Sequence, residues 1–362
     1  YIFKQNVNNV IKKKDIQKKI IKYENLILQN IYPLHLLKKE ILLEDDNTLF
    51  PLGSISKNKI YLCDENGTEV YYISDKYGFR NGNEIWNGKL VDYLLLGDSF
   101  IQGVCVEDKY TISNNIKETY NFNVLNLGIS GAGPLKEYAI FNEYGKEKKP
   151  KKVFWFFYEG NDLSKDLRYE KSIPTLLNYL EDGFTQNLIK KQSKIDSLLV
   201  KSIKKEIENE KKNILNSRIK PNNDKIYLNK LENLLQNTKY IRLWGVRNLV
   251  NKVFGKKDID PLLKTILKKT KDQVNSWDGE LYFVYLPEKK RYSIDFNNFI
   301  LKENFRNKSE VIQIVKELDI KIIDIDKDLF RNLKLEKVIE LIPNHYSEEG
   351  YKLIANKLIE GK

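Results

Sequence analysis

At 362 residues and 41% hydrophobic composition, the chain holds enough apolar material for one large α/β domain with elaborations, or for two domains, and this excludes a disordered polypeptide. A formal net charge of +12, with a pI near 9.2, would suit nucleic acid or an anionic membrane surface; the lysines, however, are interspersed with acidic residues along the whole chain and no nucleic-acid motif accompanies them, so solvated helix faces account for the charge and no nucleic-acid partner is expected. No apolar run is long enough to span a membrane and none resembles a signal peptide.

Methionine is absent, even at position 1, so the chain reads as a mature or truncated segment. A preceding segment that associates with a membrane stays open, and cytoplasm and cell envelope or periplasm are both compatible locations. Residues 1 to about 45 read as a helical extension, with Ile, Val and Leu scattered among Lys and Glu. His35 falls in it and reads as a surface or packing residue. From Asn47 to Gly88 the texture changes to short extended pieces, Ile60-Tyr61-Leu62-Cys63 and Val70-Tyr71-Tyr72-Ile73, separated by Asn-Gly turns. This predicts a small antiparallel β element, with Tyr77-Gly78-Phe79-Arg80 placed over the site. Cys63 and Cys105 cannot form a zinc site by themselves; they make one disulfide if the protein is exported, or remain two buried thiols.

From Val91 the pattern becomes βα repeats. Tyr93 to Leu96 reads as a strand buried on both faces of a parallel sheet, stopping at Gly97-Asp98-Ser99. A serine delivered to the C-terminal edge of such a sheet is either a nucleophile or a helix cap, since Asp and Ser are both favoured N-caps. A helix is predicted over Ile112 to Tyr120 and a second strand over Asn123 to Leu127, ending in Gly128-Ile129-Ser130-Gly131-Ala132-Gly133-Pro134. After a helix from about Leu135 to Lys146, a third strand, Val153 to Tyr158, ends in Glu159-Gly160-Asn161-Asp162. Gly131 alone reads as a tight turn, and Asn161 alone as a helix cap.

Between about Leu163 and Asp272 the texture is helical and rich in Lys, Asn and Glu, with an amphipathic helix over Leu198 to Leu215 and an aromatic anchor at Tyr240 to Trp244. This reads as a helical insertion covering one side of the site. The sheet resumes with Leu281 to Leu286, a helix around Glu310 to Leu318 and a fifth strand at Ile320 to Ile325. His345 precedes a final helix that Ser347 caps and that runs to about Ile359.

Taken together and in this order, Gly97-Asp98-Ser99-Phe100, Asn126-Leu127-Gly128-Ile129-Ser130-Gly131, Gly160-Asn161-Asp162 and His345-Tyr346-Ser347-Glu348-Glu349-Gly350-Tyr351 resemble the four blocks of the SGNH (GDSL-type) hydrolase family. The resemblance covers roughly Val91 to Asp162 and Leu281 to the C-terminus. It implies a three-layer α/β/α, flavodoxin-like fold with a mostly parallel five-stranded sheet. The hydrolase domain would take residues 91–165 and 276–362, with 1–90 as an N-terminal extension and 166–275 as the insertion. It implies Ser99 as nucleophile, His345 as base, and the Ser99 and Gly131 N–H groups with the Asn161 amide as oxyanion donors. No cofactor or metal is implied. The substrate would be an acylated small molecule or carbohydrate, as for bacterial surface-carbohydrate O-acyl esterases and acetyltransferases.

The chain departs from the family at one point. An aspartate usually stands two or three residues before the catalytic histidine, and here those positions are Pro343 and Ile342. A backbone carbonyl, Glu340 or a carboxylate from elsewhere would have to orient the imidazole, and a Ser–His dyad is chemically viable. The alternative reading is a catalytically weak module that keeps the fold and binds polysaccharide, membrane or a protein partner. Other chemistries lack their motifs. Gly131-Ala132-Gly133 has no third glycine for a dinucleotide site, no Gly-Lys-Ser/Thr follows Gly128, and Cys105 has no evident base. Oligomeric state is left open.

Overall fold

A computed structural model describes residues 18–34, 41–42, 48–64, 68–88, 90–219, 259–292, 305 and 307–360. His35 and the Tyr240–Trp244 anchor lie outside them. The centre is a five-stranded sheet built from β6 (Tyr93–Leu96), β7 (Val124–Asn126), β8 (Lys152–Tyr158), β9 (Glu280–Leu286) and β10 (Lys321–Asp324), in the order β10-β9-β8-β6-β7 with every pair parallel. In chain order this is 2-1-3-4-5 read from one edge, the flavodoxin-like winding. Its switch point falls between β6 and β8.

Both faces of this sheet are covered around β6, β7, β8 and β9, which is why these strands are largely apolar runs and not alternating ones; the edge strand β10 is only partly buried. Leu94 and Leu96 of β6, with Trp155 and Phe157 of β8, face one helical layer; Tyr93 and Leu95, with Phe154 and Phe156, face the other. The first layer holds α4 (Pro134–Ile140), α6 (Pro261–Asn275) and α7 (Lys308–Glu317). The second holds α3 (Ile112–Tyr120), α8 (Leu335–Leu341) and the last helix α9 (Glu348–Glu360). A single turn, α2 (Ser99–Gln102), lies between β6 and α3. Local chemistry sets the helix ends. Thr111 caps α3 by accepting from the Asn114 amide, and Asn121 closes it in the left-handed conformation that asparagine tolerates.

The extension departs from the all-helical expectation. Residues 18–28 form a helix, α1, but Ile31–Pro33 form β1, which adds in parallel to β4 (Lys59–Cys63). β4 pairs antiparallel with β5 (Val70–Ile73), as the turn signals predict, giving a mixed three-stranded sheet, and β2 (Ile41–Leu42) pairs with β3 (Thr48–Leu49). Three β residues flanked by helical composition carry no pattern of their own; their pairing partner lies almost thirty positions on.

Two further placements differ from expectation. The long helix α5 (Gln192–Ile219) packs on the N-terminal element. Its apolar stripe, Ile195, Leu199, Ile203 and Ile207, is buried with the N-terminal element, and Asp196 accepts from the Ser56 amide and hydroxyl at 2.9 and 2.6 Å. Helix α6, assigned from sequence to the insertion, is the β8–β9 crossover: Leu263, Ile266 and Leu267 are fully buried against the sheet. Among the described residues no helix is long and apolar enough to cross a membrane.

Cys63 at the end of β4 and Cys105, just after α2, are joined in a disulfide with Cα atoms 5.6 Å apart. The bond ties the N-terminal sheet to the segment that follows Ser99. It closes a loop of 42 residues, for which the chain-entropy model gives about 4 kcal/mol of stabilisation. Replacing both cysteines by serine is therefore expected to lower the unfolding free energy by roughly that amount in a urea titration. A loss under about 1 kcal/mol would mean that the N-terminal element is held by its packing alone.

Candidate active site

The segment after β6 is built so that Ser99 is not spent on the helix. Asp98 is the N-cap of α2: its Oδ1 accepts from the Phe100 amide at 2.9 Å. Ser99 is the first residue inside the turn, half-buried, with its hydroxyl left for other partners. Gly103, at φ +75°, ends the turn after four residues in the left-handed conformation glycine adopts without strain. The Ser99 Oγ lies 3.0 Å from His345 Nε2. Two side chains 246 positions apart thus meet at hydrogen-bond distance at the C-terminal edge of the sheet.

His345 sits in the loop between α8 and α9. Lys289, beyond the end of β9, donates from Nζ to the Pro343 carbonyl at 2.7 Å, and the Tyr346 hydroxyl donates to the Pro287 carbonyl at 3.2 Å. The imidazole packs on the Phe100 ring, centroids 4.9 Å apart, and Phe100 also contacts Tyr158 and Tyr346. Ile342, one of the two positions where an aspartate was expected, is fully buried in the core. Glu340 is not brought to the imidazole: it is exposed on α8, where it pairs with Lys337 at 3.5 Å.

Gly131 lies at the third position of a turn closed by the Ala132 amide donating to the Ile129 carbonyl at 3.0 Å. Its φ of +71° makes this a type II turn, which requires glycine there. The central peptide of such a turn bonds to nothing within it, so the Gly131 N–H is presented outward. Gly128 is needed for a different reason. A Cβ there would stand 2.4 Å from the Gln102 nitrogen, so only glycine lets this loop close onto α2.

Asn161 begins the helical turns after β8 but makes no capping bond with its side chain. Its Nδ2 instead donates to Asp166 Oδ2 at 2.5 Å, which leaves the second amide hydrogen. The strand end before it is anchored by the buried Glu159, which accepts from Arg291 Nε at 2.8 Å, Arg291 Nη2 at 2.5 Å and the Glu288 amide at 2.7 Å. Tyr77-Gly78-Phe79-Arg80 does not lie over the site. Phe79 is buried against Tyr144, and Arg80 reaches under the α2 exit, donating to the carbonyls of Gln102, Gly103 and Val106 at 3.2, 2.6 and 2.8 Å.

Sequence reasoning missed a group of buried acids beneath the site: Asp98, Glu137, Asp162, Asp166 and Glu170. Glu170 accepts from the amides of Gly133, Leu135 and Lys136 at the start of α4, and Asp162 accepts from the Tyr158 amide at 2.8 Å. Burial pushes the carboxyls of Asp98 and Glu170 up to about 7. Burial, then the neighbouring acids, holds Glu137 and Asp162 well above the usual carboxylate range. It also missed Gln102, whose only signal is an amide inside the apolar turn Phe100-Ile101-Gln102. Among the described residues no cluster of His, Cys, Asp and Glu could hold a metal ion.

No protein-family model matches the chain, and no curated protein matches it. Among solved structures it is similar to a lipolytic protein of the G-D-S-L family from Desulfitobacterium hafniense DCB-2, at 15% identity over 74% of this chain and 97% of that one, with a TM-score of 0.37. It is similar to a lipase/acylhydrolase from Enterococcus faecalis, at 12% identity over 75% and 94% of the two chains and a TM-score of 0.38. An acetylxylan esterase from Geobacillus stearothermophilus aligns at 11% identity over 74% and 92%, with a TM-score of 0.37.

The acids give a pH dependence of known sign. Below the ordinary glutamate value Glu137 is protonated in both folded and unfolded chains and contributes nothing. Above it the unfolded chain ionises while the folded one keeps the proton, so folding is penalised increasingly until the pH reaches the raised folded value. Glu137→Gln has no proton to retain. Its stability relative to the parent is expected to rise between pH 5 and pH 8, by up to about 1.4 kcal/mol per pH unit for this one group. A stability difference that is flat across that range, read from thermal or urea unfolding, would show that Glu137 ionises freely in the fold.

Proposed function

We propose that this chain is a serine esterase or acyltransferase of the SGNH type, acting through an acyl-enzyme on Ser99. The observation that carries the reading is the 3.0 Å contact between Ser99 Oγ and His345 Nε2 at the catalytic edge of a 2-1-3-4-5 sheet. A serine hydroxyl is a weak nucleophile, and an imidazole at this distance can take its proton as Oγ attacks an acyl carbonyl. The oxyanion that develops is met by the backbone N–H of Ser99, the outward N–H of Gly131 and the second amide hydrogen of Asn161. On collapse, His345 returns the proton to the departing alkoxide. Water, or a second hydroxyl, then attacks the acyl-enzyme with the same histidine as base, giving hydrolysis or transfer.

The substrate class follows the family resemblance: O-acyl groups, most simply acetyl esters, carried on a small molecule or a carbohydrate. Residues 91–165 and 276–362 would carry this chemistry, with helix α6 added from the preceding segment because it covers the sheet.

Hydrolysis of p-nitrophenyl acetate is the direct test. The wild type is expected to exceed Ser99→Ala and His345→Ala clearly, and a fluorophosphonate is expected to label Ser99 alone. Asn161→Ala is expected to lower kcat by roughly two to three orders of magnitude with little change in KM, the usual cost of one oxyanion donor. A wild-type rate equal to that of Ser99→Ala, with no labelling of Ser99, would reject the esterase reading for simple esters and favour a binding module.

A further inference from the structure

We propose that Gln102 is a positioning residue for the oxyanion-binding turn, and that through it Tyr72 of the N-terminal sheet is coupled to the catalytic site. This rests on the esterase reading above and adds to it a part of the chain outside the hydrolase blocks.

Gln102 ends the single turn that Ser99 begins, and its side chain is fully buried. Both ends of its amide are used, in opposite senses. Oε1 accepts from the Ser130 N–H at 2.8 Å, and Nε2 donates to the Tyr72 hydroxyl at 3.3 Å. Ser130 and Gly131 are the two central residues of the type II turn, so the Ser130 amide lies one peptide before the Gly131 N–H proposed above as an oxyanion donor. The preceding amide, Ile129, donates to the Gly97 carbonyl at 3.1 Å. Two consecutive peptides of the turn are therefore fastened to the two sides of the nucleophile, Gly97 before it and Gln102 after it. With both held, and φ of Gly131 fixed at +71°, the Gly131 peptide has little freedom to rotate. The close approach at Gly128 brings the Ser130 amide within reach of so short a side chain.

A carboxamide suits this position because it accepts at one end and donates at the other. Tyr72 supplies the acceptor. It is 2% exposed on β5, burial holds its phenol above the ordinary tyrosine value and hence neutral, and the Arg80 guanidinium lies over its ring at 5.4 Å. Arg80 in turn donates to the Gln102 and Gly103 carbonyls. The N-terminal sheet therefore grips the α2 turn at the Gln102 side chain and, through the disulfide, at Cys105, while Arg80 in the segment after β5 holds the Gln102 and Gly103 carbonyls.

Three variants assayed on p-nitrophenyl acetate test this. Gln102→Met keeps length and burial but removes both hydrogen bonds; kcat is expected to fall about 10- to 100-fold, short of deleting a donor outright, with KM within about twofold. Gln102→Glu keeps an acceptor for the Ser130 amide and is expected to recover most of that loss. Tyr72→Phe, which removes only the far partner, is expected to lie between wild type and Gln102→Met. Binding of an alkylboronic acid, a tetrahedral mimic, should weaken in step with kcat/KM, which mere loosening of the fold would not produce. The inference is overturned by wild-type kcat in Gln102→Met, or by Gln102→Glu as slow as Gln102→Met at unchanged melting temperature. If Gln102→Met does not fold, unchanged kcat in Tyr72→Phe overturns it. A wild type no faster than Ser99→Ala ends the esterase reading and this inference together, whereas wild-type kcat in Gln102→Met ends this inference alone.

Discussion

The bond from the Phe100 amide to the Asp98 side chain is what the C-terminal edge of the sheet around Ser99 depends on. A strand that stops abruptly must hand its chain to a helical turn, and the first amides of that turn need an acceptor. With Asp98 serving, Ser99 enters the turn with its hydroxyl uncommitted and meets His345. The same turn then organises its neighbours. Its Ile101 carbonyl accepts from the Asn126 side chain, whose Oδ1 receives the Gly128 amide, and its last residue receives the Ser130 amide. Four residues of helix thus hold Ser99 and, alongside it, the loop that follows the neighbouring strand.

The buried acids pose an electrostatic problem that their own burial resolves. On the proposed mechanism, ionised carboxylates beneath the site would oppose the negative charge that develops on the substrate oxygen. Water is excluded from Glu137 and Asp162, and each lies among other acids, so the neutral form is favoured. Glu170 is tied differently, its oxygens spread over three amides at the start of α4. There it locks the helix that follows the Gly131 turn. The cluster is thus compatible with oxyanion chemistry because most of its charge is suppressed.

Much of this was legible from residue patterns. Buried apolar runs marked strands β6 to β9, since a sheet covered on both faces leaves little polar alternation; the edge strand β10, Lys321–Asp324, is less buried and was marked by its isoleucines. The Asn-Gly turns marked the β4–β5 hairpin, and four short motifs at strand ends or loops singled out Ser99, Gly131, Asn161 and His345. What stayed hidden depends on partners distant in sequence. β1 is three residues in helical surroundings and exists because β4 offers it an edge. Helix α5 is amphipathic, as its pattern says, but the pattern does not name the surface its stripe meets. Gln102 and Glu170 are ordinary polar residues until the loops they fasten are folded beside them. Glu340 was attractive for being near His345 in sequence, yet its position on α8 turns it to solvent. Nearness along the chain says little once a helix intervenes.

His345 comes from the loop before α9, and α9 packs on the same sheet face as α3, the helix that follows Ser99. A chain emerging from the ribosome completes β6, its turn and α3 well before the segment that supplies His345. Such non-local closure is slow compared with local helix formation. The turn that carries Ser99 therefore forms well before its contact with His345 Nε2, which is completed only when the C-terminal segment docks. On the esterase reading proposed above, a truncated or partly folded chain would carry the hydroxyl without the imidazole that activates it.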